Sequence, residues 1–125
     1  MRDCHSEVLR RRALGLLNNA RDNFQREEYD LVLFHVEQFL QLYLKRILYE
    51  KIGTYIKTHS LTSLLKELQK VYEDKALFEL YNSNIETINL LEDAYITSRY
   101  LPREYDKEVA EKVLKFAEQT LEVLR

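Results

Sequence analysis

Residues that turn a chain are scarce here: 125 residues hold two glycines and one proline. A β-sandwich or barrel needs frequent turns, so this shortage argues against both and for long helices with few connections. Cysteine is nearly absent too. The single Cys4 rules out an internal disulfide and a multi-cysteine zinc site, which suits a reducing cytoplasm. A basic excess of the kind dedicated nucleic-acid binders carry is also missing, since 19 Lys and Arg face 21 Asp and Glu for a net charge of −2. Any contact with nucleic acid must therefore come from a local patch. No stretch approaches the roughly 20 apolar residues of a membrane span, and the opening Met1, Arg2, Asp3, Cys4, His5 is too polar for a signal peptide. A soluble, cytoplasmic protein with no membrane partner is expected.

What is present is the composition of a folded globular chain: 46% hydrophobic and 32% charged residues. The length fits one domain, residues 1–125. Val8, Ala13, Leu16, Leu17, Ala20 and Phe24 recur at helical spacing and predict a first helix from Ser6 to Arg26. The charged stretch from Gln25 to Tyr29 turns the chain. A second helix, Tyr29 to Lys51, is apolar over more than one face, which predicts a central position or a second burial surface in a dimer, and Gly53 ends it. Ser60 is the predicted N-cap of a third helix carrying the stripe Leu61, Leu64, Leu65, Leu68 and Val71. Asp74 to Ser83 reads as a short helix or a turn. A fourth helix runs from Asn84 to Tyr100 with Ile85, Ile88, Leu91 and Tyr95 inward, and Pro102 stops it. The last begins near Asp106 and uses Val109, Val113, Phe116, Ala117, Thr120 and Leu124. The fold class is all-α: an antiparallel, up-and-down helical bundle of four long helices plus a short one.

Three segments carry a more specific pattern. The second helix contains Val36-Glu37-Gln38-Phe39-Leu40-Gln41-Leu42-Tyr43-Leu44-Lys45, following Glu28-Tyr29-Asp30. Gly53 is followed by Thr58-His59-Ser60-Leu61 and Leu64-Leu65, and Leu91-Glu92-Asp93-Ala94-Tyr95-Ile96-Thr97-Ser98-Arg99-Tyr100 leads to Pro102. In this order, across nearly all of the chain, they resemble the HEPN family of small helical bundles associated with nucleotides and RNA. The Tyr-x-x-Ser-Arg-Tyr-x-Pro run is the most specific of the three, and Gln41 stands where the family more usually has Glu. The resemblance implies an antiparallel bundle, homodimers, and partnership with minimal nucleotidyltransferases in prokaryotes, as in toxin–antitoxin or defence systems.

Some members of that family are metal-independent ribonucleases with an Arg followed, after four to six residues, by a His. Such an Arg stabilises phosphate charge while the His moves the proton of the ribose hydroxyl. This chain lacks the pattern: its histidines are His5, His35 and His59, and none follows an arginine at that spacing. What remains is a binding patch. Glu92, Tyr95 and Arg99 are spaced to share one helix face, Arg99 is suited to fork onto a phosphate and Tyr95 or Tyr100 to stack on a base, and the resemblance places Lys45 and His59 beside them. No metal, cofactor or catalytic residue is expected. Against these, His35 reads as a packed or interfacial histidine, Arg10-Arg11-Arg12 as a solvated face, Cys4 as an unactivated thiol, and the nine tyrosines mostly as core and interface packing.

The reading favoured by these residues is a non-catalytic module that binds a nucleotide or RNA segment through Lys45, His59, Tyr95, Arg99 and Tyr100, dimerises through the second helix and its neighbours, and acts with a nucleotidyltransferase-type partner. Two alternatives belong to other classes: a ribonuclease toxin using unconventional residues such as His59 with Arg99, and a purely structural dimerisation subunit.

Overall fold

A computed structural model describes residues 4–97 and 103–125. Among the described residues the secondary structure is entirely helical: α1 (Cys4–Gln25), α2 (Tyr29–Ile52), α3 (Leu61–Tyr72), α4 (Lys75–Ser83), α5 (Ile85–Thr97) and α6 (Lys107–Val123). The all-α expectation holds. Asp74 to Ser83, ambiguous in sequence, is the helix α4: the Asp74 carboxylate accepts from the Ala76 N–H at 2.8 Å and starts it. Asn84 separates α4 from α5 by donating its side-chain amide to the Leu80 carbonyl at 2.8 Å.

Local chemistry sets the helix ends. After α1 the Glu28 N–H bonds the Asn23 carbonyl and the Glu27 N–H bonds that of Phe24, with Glu27 left-handed at φ 61°. That pair of bonds is a Schellman closure, built here on a glutamate where glycine is usual. The Glu28 carboxylate also takes hydrogen bonds from Asn23 Nδ2 and Arg26 Nε, both at 3.0 Å, so the turn is cross-braced. A turn this short forces α2 back antiparallel along α1. Gly53, left-handed at φ 77°, caps α2. Ser60 and Asp106 cap α3 and α6 by accepting from Ser63 N and Val109 N.

α2 is the central element, packed against α1, α3, α5 and α6. Val32, Val36, Phe39, Leu40, Leu44 and Leu48 of α2 join Ala13 and Leu17 of α1, Leu64 and Leu68 of α3, Leu91 of α5, and Val113 and Phe116 of α6 in one core. Excess apolar surface on α2 is thus mostly consumed within the chain. The exceptions are Leu31 and Phe34, 37% and 44% exposed near its N-terminus, and Ile52, 46% exposed at its last position. On α1 the innermost side chains are Leu9, Ala13, Leu17 and Ala20, with Val8, Leu16 and Phe24 at the margin. Of the positions expected inward on α5, Ile88 and Leu91 are buried, Tyr95 is half-buried, and Ile85 in the first turn is 41% exposed.

An ion pair closes the far side of the bundle: Arg21 of α1 forks onto Glu118 of α6 with Nε–Oε2 at 2.8 Å and Nη2–Oε1 at 2.5 Å. The hydroxyl of Tyr43 donates to the Leu124 carbonyl at 3.0 Å and ties the end of α6 to α2.

Candidate functional site

α2 carries one polar seam in its apolar surface: Glu37, Gln41 and Lys45, each four residues from the next and therefore stacked along one face. Glu37 and Gln41 are almost fully buried, at 2% and 5% exposure. A buried carboxylate or amide needs partners. Gln41 finds one in the loop between α2 and α3, where its Nε2 donates to the His59 carbonyl at 2.5 Å. Its Oε1 accepts no hydrogen bond among the described residues. The Gln38 amide donates to Glu37 Oε1 at 3.3 Å.

The contact from Gln41 fixes the backbone at His59 and so sets where the imidazole goes. That ring is exposed and stacks on Tyr95 of α5, with centroids 5.1 Å apart and planes inclined by 21°. Tyr95 is held opposite it by Glu92, one turn earlier on α5. Glu92 Oε1 accepts from the Thr62 N–H at 2.7 Å and the Ser60 hydroxyl at 3.3 Å. A carboxylate there satisfies an N–H that a helix start leaves without an intrahelical partner and complements the positive end of the α3 dipole. Ser60 N–H in turn donates to Thr58 Oγ1 at 3.0 Å. The loop is therefore clamped from α2 on one side and α5 on the other.

Lys45 lies one turn beyond Gln41 and half-buried, its Nζ 5.8 Å from the centroid of the Tyr55 ring. Burial pushes the Lys45 ammonium below the usual lysine range, and the Glu37 carboxylate opposes that shift. A partly desolvated cation of this kind gains more from an anionic ligand than one already surrounded by water.

The structure thus brings His59 and Tyr95 into direct contact, while Lys45 lies one turn of α2 beyond the Gln41 that holds His59 and sits over Tyr55. Arg99 and Tyr100 lie outside the described residues. Sequence reasoning missed two features. Glu92, placed by its spacing on the helix face of Tyr95 and Arg99, serves as a cap on another helix, and no local pattern announces a contact across 30 residues. Glu37 and Gln41 are buried polar anchors, signalled in the sequence only by their spacing from Lys45 inside an apolar helix. His35 is half-buried, its Nδ1 2.6 Å from Asn23 Oδ1, and Arg10, Arg11 and Arg12 are all exposed, in keeping with their structural readings. Among the described residues no three ligating side chains gather as a metal site, and no helix is long and apolar enough to cross a membrane.

Fold and site together define a small all-helical module with an aromatic and cationic rim where a loop is pinned between two helices. A model of the HEPN domain matches residues 6–125, nearly the whole chain. The chain belongs to the HEPN family. Searches of curated proteins and of solved structures gave no significant match.

Proposed function

We propose that this chain is a non-catalytic binding module that takes a nucleotide or RNA segment at the rim formed by α2, α5 and the loop before α3. Lys45, His59, Tyr95, Arg99 and Tyr100 make the contacts. The observation that carries this reading is the stack of His59 on Tyr95, with the His59 backbone held by Gln41, one turn of α2 before the half-buried Lys45. A preformed aromatic pair offers a flat surface for a base at little cost in side-chain entropy, and the ammonium offers charge for a phosphate. Membership of the HEPN family supports a role tied to nucleotides or RNA. The lack of an Arg followed after four to six residues by a His supports binding without cleavage.

In this reading the module works in the cytoplasm beside a nucleotidyltransferase-type partner, as in a toxin–antitoxin or defence system, and as a homodimer. Leu31 and Phe34, exposed together near the start of α2, support that helix as the dimer surface.

Calorimetry with ATP, GTP, UMP and short RNA, followed by a gel for RNA integrity, tests the site. Saturable binding that is lost when Tyr95→Ala and Arg99→Ala are combined, with intact RNA, is the expected result. Unchanged affinity in that double variant would refute the assignment of these residues, and cleaved RNA would refute the non-catalytic part. Sedimentation of the protein and of Phe34→Glu tests the dimer; a wild-type monomer at high micromolar concentration rejects it.

A further inference from the structure

A second group of rings includes Tyr55, four residues before His59 in the same loop. His5 in the opening turn of α1, Tyr49 near the end of α2 and Tyr55 in the loop after it form a cluster: His5 to Tyr49 at 4.9 Å edge-on, His5 to Tyr55 at 6.2 Å and within 7° of parallel, Tyr49 to Tyr55 at 6.4 Å. His5 is exposed and both tyrosines are half-buried. The loop joining this cluster to His59 reads Tyr55-Ile56-Lys57-Thr58-His59, alternating aromatic, cation, aromatic, and Lys57 is exposed. Lys45, over the Tyr55 ring, lies on the same helical seam as the residue that anchors His59. The neighbouring carboxylate of Glu50 is taken by Arg46 at 3.1 Å and by the Ser6 hydroxyl at 2.5 Å, so it adds little repulsion.

Two stacking surfaces joined by cations differ from a mononucleotide site. Base-on-ring stacking tolerates any base, and phosphates between stacked bases need positive charge between the rings. Four residues of chain place Tyr55 within about 14 Å of His59, a distance a short oligonucleotide bridges. We propose that the loop from Gly53 to Ser60 is a track for single-stranded nucleic acid, with one base on the His59–Tyr95 pair, another on the Tyr55–His5 stack, and the intervening phosphates on Lys45 and Lys57. This inference rests on the nucleotide-binding reading of the His59–Tyr95 pair and extends it to a ligand of at least two nucleotides.

The test measures affinities of the full chain for UMP, the RNA octamer U8 and the DNA octamer dT8. The track predicts that U8 binds at least tenfold more tightly than UMP. Lys57→Glu and Tyr55→Leu should each weaken U8 at least fivefold and leave UMP unchanged, whereas Tyr95→Ala weakens both. Reversing an exposed charge elsewhere, Lys112→Glu on α6, leaves U8 unchanged. The dependence of log affinity on log salt should be shallower by about 0.7 in Lys57→Ala, the loss of one phosphate contact to a single strand. Preference for U8 over dT8 assigns RNA through its 2′-hydroxyls, and parity assigns single strands of either sugar; both support the track. UMP binding with no gain for U8, or U8 affinity indifferent to Lys57→Glu, overturns the track and leaves the mononucleotide site standing. Silence of UMP, U8 and dT8 alike overturns both. Lys57 is exposed, so its variants decide the question even where Tyr55→Leu disturbs the fold.

Discussion

Removing the Glu92 carboxylate should reveal how firmly α5 is tied to the start of α3. In the native chain Glu92 Oε1 receives the Thr62 N–H at 2.7 Å and the Ser60 hydroxyl at 3.3 Å. A hydrogen bond to a charged acceptor is worth about 1.5–3 kcal/mol, and a negative charge at a helix N-terminus about 0.3–1 kcal/mol. The two overlap, and Glu92 and Thr62 are only half-buried, so water replaces part of what is lost. Glu92→Ala should therefore cost about 2 kcal/mol. Glu92→Gln keeps an acceptor and loses the charge, and should cost about 1 kcal/mol. For a domain of this length the first corresponds to a fall in Tm of roughly 8 °C. Ser60→Ala removes both a donor to Glu92 and the cap on Ser63 N, at about 1 kcal/mol. A double-mutant cycle between the two sites should show coupling of about 0.5–1 kcal/mol, because they share the α3 N-terminus. The assay is urea unfolding followed by circular dichroism, with a constant m-value required for each comparison. A loss below about 0.5 kcal/mol in Glu92→Ala would show that the cap does not hold α5 in place, and the account of how Tyr95 is set against His59 would fail with it.

Other perturbations follow from the same geometry. Burial pushes the His35 imidazole below its ordinary value, so between the unfolded and folded values the unfolded chain binds more protons and stability rises with pH. Wild type should lose stability as pH falls from 7 through the range below 6.5, and His35→Gln should flatten that slope in urea titrations at stepped pH. Gly53 is left-handed at φ 77° with open space around its Cα, so Gly53→Ala should cost about 1 kcal/mol through backbone strain alone; a neutral result in thermal melts would contradict that conformation. Arg21 and Glu118 are each 42% exposed, and despite their forked geometry a double-mutant cycle should give a coupling of no more than about 1 kcal/mol, falling in 1 M salt.

Sequence determined the longer helices because they carry their own signals. The apolar stripe of α3 with its Ser60 cap, Asp106 before α6 and Gly53 after α2 are local choices that local physics reads directly. The segment after Asp74 was ambiguous because nine residues hold too few turns to show a period, and Asp74 and Asn84 settled it through hydrogen bonds at its ends. Lys45, His59 and Tyr95 stood out by residue type and family pattern. Tertiary structure alone decided which of them meet. His59 stacks on Tyr95 because Gln41 and Glu92, from two helices distant in the chain, clamp the loop between them. The same holds for the second ring cluster, where His5 and Tyr55 are 50 residues apart in sequence and face each other only because α1 runs back along α2. Periodicity tells a side chain which way to point; contact between helices depends on how whole faces pack, and that is set by the sum of the core.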